Sequence, residues 1–325
     1  MKWIACELHT HTIHSDGQFS VRELLCRARS LELEAIALTD HNTASGLADY
    51  ERNRLSDILP LIRGIEWTTY YGHVLILGSE SYVDWRDVLP DNIDEKLKMV
   101  HQAKGVVGVA HPYAAGDPVC SGCHWEFKLK DWSLADYIEI WSGTRPQLLE
   151  HNKKALDKWT ALLDKGLFLT AVSARDWHGG ENDAEPFAVT YLQLDESLDI
   201  TVAAKDALAK HRAYVTVGPT IDLSVSTNHA EAGIGGVLPR GKAVFRVTIR
   251  GEKRKEIWSR FGIELRKLVL IGKGGKVKAH AGFVAYGREI IVPVENASDW
   301  IRVEVHGVME GVECTIAVTN PVFFS

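Results

Sequence analysis

The chain has 325 residues, 46% of them hydrophobic and 25% charged, with 37 basic against 43 acidic side chains for a net charge of −6. That length predicts two domains of roughly 150 residues, or one barrel-sized domain with an addition, and that balance excludes disorder and collagen-like repetition. The acidic excess argues against an extended nucleic-acid partner, and no run reaches the ~18 uncharged apolar residues of a membrane helix.

The N-terminus, MKWIACELHTHT, meets Glu7 and His9 before any signal-peptide core, which points to a cytoplasmic protein. Strands are predicted at 3–8, 35–38, 61–65, 73–77, 106–110, 137–140, 167–172 and 187–192. Amphipathic helices are predicted at 21–31 behind a Ser20 cap, and at 93–104, 148–165 and 202–210. This alternation is the pattern of an α/β fold with a mainly parallel sheet, open or closed into a barrel. Beyond Gly218-Pro219 the pattern changes to Gly-bounded, β-branched runs at 221–226, 243–249, 265–271, 277–284, 289–294, 300–305 and 314–318. Hairpin turns are expected at Gly272–Gly275 and at Tyr286-Gly287. The expectation is therefore residues 1–218 as an α/β unit and 219–325 as an all-β, sandwich-like domain. The sequence leaves the oligomeric state open.

Five cysteines with a single CxxC do not make a disulfide framework. The histidines are more informative, since ten of the fourteen fall at or before position 178. His9 and His11 close the first predicted strand, where residues i and i+2 share a face and can meet one ion. Asp16 follows. The second strand runs into Thr39-Asp40-His41, the third into Glu66, the fifth into His111-Pro112 and the seventh into Asp176-Trp177-His178. Metal-type residues thus recur past the ends of successive strands, where α/β folds assemble their sites. Imidazoles and carboxylates without thiolates favour Zn, Mn or Fe, and a group this large implies a multinuclear centre with positions open to water and substrate.

HTHTIHSDG (9–17), LTDHNT (38–43), GIEWTT (64–69), GHVLILG (72–78), AHP (110–112) and DWH (176–178), in this order, resemble the motifs of the PHP superfamily, named after polymerase and histidinol phosphatase. IEIWSG (138–143) and WTALLDKG (159–166) are similar to its branch of carbamate-pesticide hydrolases. The resemblance implies a distorted (β/α)7 barrel with two or three divalent ions at the C-terminal rim. It assigns His9, His11, Glu66 and Asp176 to the first ion, Asp16, His41 and His178 to the second, and His73 and His111 to the third, with Glu66 bridging. Glu66, Asp176 and His178 are the residues expected to act in catalysis. Arg175 departs from the pattern, since many relatives carry a small or polar residue directly before the Asp.

Around this core, Glu139 alternates with Ile138 and Ile140 and is a candidate for supporting the centre from behind. His14 and His101 read as non-ligands. Lys128, Lys130 and Arg145 are candidates to meet an anionic leaving group. Cys120-Ser-Gly-Cys123-His124 belongs to a loop that could cover the site, with haem attachment disfavoured. Trp67, Trp125, Trp141 and Trp177 could wall a pocket, whereas Trp3 reads as core. The implied activity is metal-dependent hydrolysis, with a metal-bridging hydroxide attacking a small phosphoester. A carboxyl ester or carbamate is the alternative electrophile, and a metal-stabilised binding module without catalysis is the remaining reading.

Overall fold

The computed structural model describes residues 1–115, 122–181, 183–282 and 284–325. Strand β1 (Lys2–Glu7) pairs in parallel with β2 (Ala35–Leu38), and β2 with β3 (Leu61–Thr69). Helices α1 (Val21–Ser30) and α2 (Ser45–Arg52) occupy the two crossovers. Helix α1 starts at a reciprocal cap: the Ser20 side chain accepts from Glu23 N, and Glu23 in turn accepts from Ser20 N. Its Val21, Leu24, Leu25 and Ala28 form the buried stripe that docks it on the sheet.

The parallel order then breaks. Strands β3 and β4 (Gly72–Leu77) form an antiparallel hairpin, and β4 pairs antiparallel with β5 (Val106–Val109), which follows α3 (Ile93–Gln102). Parallel pairing resumes through β6 (Tyr137–Ser142), α4 (Glu150–Asp164) and β7 (Thr170–Ala174). Strand β8 (Val189–Leu194) runs antiparallel to β1, and β9 (Ala213–Thr216) antiparallel to β8. The sheet is thus mixed rather than mainly parallel, and its β3–β4 join is a tight hairpin where a parallel pair would need a crossover. It also curls back on itself: past β7, Trp177 makes a parallel bridge with Thr10, donating to His9 O at 3.0 Å and accepting from His11 N at 2.9 Å.

Helix α5 (Ile200–Ala209) closes the opposite end. Its Ala203, Ala204 and Ala207 are small enough to pack into a core shared with Ile4, Cys6, Leu75, Tyr137 and Val172. Lys205 Nζ donates to the carbonyls of Gly78 and Lys104 at 3.0 and 2.6 Å, and Thr201 Oγ1 accepts from Arg63 N at 3.1 Å. These contacts lie at the start of β3, the end of β4 and the start of β5, so His9 and His41, just past β1 and β2, and Glu66, in the later half of β3, are left at the other face.

After Gly218 the strands divide between two layers. One is a four-stranded antiparallel sheet of β10 (Thr220–Ser226), β11 (Glu231–Ala232), β13 (Gly241–Arg250) and β16 (Glu289–Ala297), with β12 (Val237–Leu238) between β11 and β13 in the chain. Strand β13 turns Ala243, Phe245, Val247 and Ile249 inward. The other layer holds β14 (Glu264–Gly272), β15 (Lys276–Gly282), β17 (Asp299–Met309), β18 (Val312–Thr319), β19 (Val322–Phe324) and β12. It continues the first sheet, because β18 pairs with β9, Ala317 opposite Thr216 and Thr319 opposite Tyr214.

Gly272–Gly275 turns the β14–β15 hairpin as expected. The hairpin expected at Tyr286-Gly287 does not form, because β16 leaves the layer of β15 and pairs with β13. Gly287 supplies the reversal with φ +72°, but a turn signal does not say which sheet the next strand joins. Val292 and Val294 are buried, whereas their neighbours Ile291 and Glu295 are exposed, and that alternation suits one face of the second layer.

Candidate metal centre

Each strand end delivers its side chain for a local reason. The chain continues extended past β1, held by Thr10 N to Thr39 Oγ1 at 3.0 Å and Thr10 Oγ1 to Ala37 O at 2.7 Å. Thr10 therefore faces β2, while His9 and His11 face the centre. The turn that follows is pinned by Asp40, whose Oδ1 accepts from Thr12 N at 2.7 Å and Ser15 Oγ at 2.9 Å. Gly17 permits the turn to close, since a Cβ there would lie 2.5 Å from the His11 carbonyl carbon, and Asp16 is carried back over the centre. Asn42 extends the β2–β3 ladder with its side chain, donating to Thr68 O at 2.9 Å and accepting from Thr68 N at 3.0 Å, so His41 lies beside Glu66. His111 and Asp176 sit just past β5 and β7 at φ +23° and +54°. Such left-handed backbone costs of order 1–3 kcal/mol where a non-glycine residue is held in it.

All nine residues singled out in the sequence converge. Glu66 is at the middle: Oε1 lies 3.2 Å from His9 Nε2, 3.1 Å from His73 Nδ1 and 3.5 Å from His111 Nε2, and Oε2 lies 2.7 Å from His41 Nδ1 and 3.6 Å from His11 Nε2. Asp176 Oδ1 is 3.2 Å from His9 Nε2 and 3.0 Å from His11 Nε2. Asp16 Oδ1 is 3.3 Å from His41 Nε2 and 3.1 Å from His178 Nε2. Ligand atoms within 4.8 Å of one another form four overlapping groups: His11, Asp16, His41 and His178; His9, His111 and Asp176; His9, His11 and Glu66; Glu66, His73 and His111. His11 therefore reaches two of the sub-sites that the resemblance separates. His9, His11, Glu66, His73 and His111 are buried, and the Asp16 side chain, 58% exposed, marks the side open to solvent.

The electrostatics are those of a place for cations. Burial opposes charge on His9, yet Asp176, Glu66 and Glu139 raise its pKa well above the usual imidazole value. Against the same burial, Asp16 and Glu66 raise His41 to about 10, Glu66 and Asp176 raise His111 to about 9, and Asp16 and Asp176 raise His178. His11 goes the other way, to about 4, because its burial outweighs Asp176. Burial would raise the carboxyls of Glu66 and Asp176, but the facing imidazoles hold both well below their ordinary range. Both ring nitrogens of His73, His9 Nε2 and Glu66 Oε1 are buried without a hydrogen-bond partner. Buried donor atoms that face one another unpaired fit divalent ions.

A further layer holds the ligands. Glu139, fully buried on β6, accepts from His9 Nδ1 at 2.9 Å and from His111 N at 2.7 Å. Glu7 is a residue the sequence reading misses. Its Oε1 accepts from His9 N at 3.3 Å and Arg175 N at 2.9 Å, and burial pushes its pKa up to about 7 against the pull of Arg175. The available signal is one charged residue inside the apolar run WIACEL. Thr68 Oγ1 also meets His41 Nδ1. Arg175 has its guanidinium 3.7 Å from the Trp177 ring centroid and 4.3 Å from that of Phe187, and pairs with Asp183 at 3.0 Å.

The remaining candidates lie elsewhere. His14 bonds Ser45 Oγ at 2.8 Å, and His101 bonds Leu134 O at 3.0 Å. Lys128 pairs with Asp91 at 3.1 Å, Arg145 with Glu185 and Glu310 at 2.9 Å each, and Lys130 N donates to Asp94 at 3.2 Å. None of these three cations lines the cavity of about 280 Å³ beside Asp176 and His178, which is formed with Gly143, Thr144, Arg175, Trp177, Gly179 and Glu181. Trp177 is on its wall. Trp67 and Trp141 are core, Trp125 packs on Phe127 at 5.2 Å, and Trp3 on Tyr214 at 5.0 Å. Cys120 of the CxxCH segment lies outside the described residues.

Residues 7–166 match the PHP domain family; Asp176 and His178 lie past that stretch. An uncharacterized protein of Methanocaldococcus jannaschii is 28% identical over 113 residues, 35% of this chain and 48% of that protein, so the match spans about half of the relative's length. The fold is similar to the crystal structure of a two-domain protein from Bacteroides vulgatus, described as containing a predicted PHP-like metal-dependent phosphoesterase. The TM-score is 0.54 at 15% identity, covering 99% of this chain and 95% of that one. Among the described residues no helix is long and apolar enough to cross a membrane.

Proposed function

Because residues 7–166 are a PHP domain, we propose that this protein is a metal-dependent hydrolase, a phosphoesterase acting on a small phosphorylated molecule. Residues 1–218 form the hydrolase unit and 219–325 an accessory β-sandwich. The observation that carries the reading is Glu66, a buried carboxylate whose two oxygens face two different sets of imidazoles.

His9, His11, Asp16, His41, Glu66, His73, His111, Asp176 and His178 would hold two or three ions of Mn, Zn or Fe, with Glu66 shared. Divalent ions there would lower the pKa of a bound water and neutralise charge developing on a phosphoryl group. The chain supplies the rest. Glu139 fixes His9 with its proton on Nδ1, leaving Nε2 free to face the centre. Burial of five ligands keeps bulk water from the inner side, and the exposed Asp16 and the cavity beside Asp176 and His178 leave one approach for substrate.

A carboxyl ester or carbamate substrate is the second reading, favoured by Trp177 in the cavity wall and by the ion pairs that occupy Lys128 and Arg145. Assay of Mn²⁺-supplemented protein against matched aryl phosphates and aryl esters separates the two. Phosphate release with chelator-sensitive turnover supports the phosphoesterase; ester cleavage alone overturns it. Stoichiometric metal with neither activity supports a binding module.

A further inference from the structure

The cavity beside Asp176 and His178 has a charge pattern that bears on what lies beyond the scissile phosphate. Glu181 lines it, exposed, with Gln18 Nε2 3.5 Å from its Oε1 as its polar contact. Behind the wall, Glu185 accepts from Thr144 Oγ1 at 2.7 Å and pairs with Arg145 at 2.9 Å. The cations nearby have carboxylate or carbonyl partners. Arg145 also pairs with Glu310, Arg175 is 3% exposed and pairs with Asp183, Arg27 lies 3.5 Å from Asp183, and Arg260 donates to Asp183 O at 3.2 Å. Among the described residues Arg175 is the only Lys or Arg on the cavity wall. Residues 116–121, 182 and 283 read GDPVCS, N and F, without a cation.

We propose that this cavity selects phosphoesters whose leaving group carries an amine, and that Glu181 is the specificity-determining residue. The inference rests on the phosphoesterase reading. The phosphoryl end would be met at the nine-residue centre, while the far end would meet the Glu181 carboxylate, which pairs with no Lys or Arg among the described residues. At contact distance in hydrated surroundings, one opposite charge is worth about fivefold in affinity, and a like charge costs as much.

The test is calorimetric titration of Mn²⁺-loaded protein with three phosphonates that cannot be hydrolysed: 2-aminoethyl-, 2-hydroxyethyl- and 2-carboxyethylphosphonate. The expected affinity order is amino, hydroxy, carboxy, with roughly fivefold between steps, compressed in 0.5 M salt. Glu181→Gln should flatten the order and Glu181→Lys should invert it, with unfolding temperature checking the fold. A carboxy ligand that binds as tightly as the amino ligand, or an order unchanged in Glu181→Lys, overturns the amine preference alone. If none of the three binds, the phosphoesterase reading falls and this inference falls with it.

Discussion

Replacing Glu139 by Gln tests whether the centre depends on a residue that touches no substrate. Its two oxygens accept from His9 Nδ1 at 2.9 Å and from His111 N at 2.7 Å, in a site with no solvent exposure. A carboxylate accepts on both sides, whereas an amide has one oxygen and one NH₂. The backbone N–H of His111 cannot change its role, so the amide oxygen must stay with it and the NH₂ must face His9. His9 then has to accept at Nδ1 and carry its proton on Nε2, the atom that lies 3.2 Å from both Glu66 and Asp176. The ligand atom is thereby blocked. Loss of such a supporting carboxylate typically costs ~10–100-fold in metal affinity or activity, about 1.4–2.8 kcal/mol. Competition against a fluorescent chelator, with circular dichroism to verify folding, should show that loss for Glu139→Gln. His14→Gln, whose histidine ring bonds Ser45 Oγ at 2.8 Å rather than a residue of the centre, should bind like wild type. A folded Glu139→Gln protein with wild-type affinity would refute the tautomer argument.

Much of the centre is legible in the sequence because metal chemistry admits few side-chain types and places them past strand ends, so HTH, DH, Glu66, AHP and DWH each stand out after an apolar run. Glu139 is legible for a related reason, as a charge alternating with Ile138 and Ile140. Glu7 goes unread although it precedes His9 at the same i, i+2 spacing that joins His9 to His11, because its bond to Arg175 N joins residues 168 positions apart. The β3–β4 hairpin is hidden as well. It turns at Tyr70-Tyr71 without the Gly or Asn that marks a tight turn, and β3 runs on to Thr69 through residues that read as a loop after Glu66. The change of pattern at Gly218-Pro219 separates two styles of sequence, yet β18 adds directly to β9 and Arg254 from the later region sits 5.1 Å from the Phe187 ring that also carries Arg175. Strand partners chosen across a hundred residues leave no local trace.

Three further outcomes are expected. Purified protein should carry at least two transition-metal ions per chain, and chelation should abolish hydrolysis with recovery on Mn²⁺ or Zn²⁺; less than one ion by elemental analysis after supplemented expression would rule out a multinuclear centre. Glu66→Gln should lose several decades of turnover under saturating Mn²⁺, since it removes the charge shared between sub-sites, while His14→Gln stays within about tenfold; the reverse order would overturn the ligand set. The last concerns pH. In metal-free protein His41 and His111 have pKa values raised to about 10 and about 9, so the stability they contribute is fully present below the unfolded value of about 6.5 and is lost as pH rises through the folded values. The shift of Glu7, to about 7, acts mainly below this window. Chelated protein should therefore show an unfolding temperature that falls between pH 7.5 and about 9.5, whereas ions that have already displaced those protons should hold the loaded protein nearly level. A chelated protein whose unfolding temperature stays flat or rises across that window would show that the carboxylates around Glu66 do not hold protons on these imidazoles.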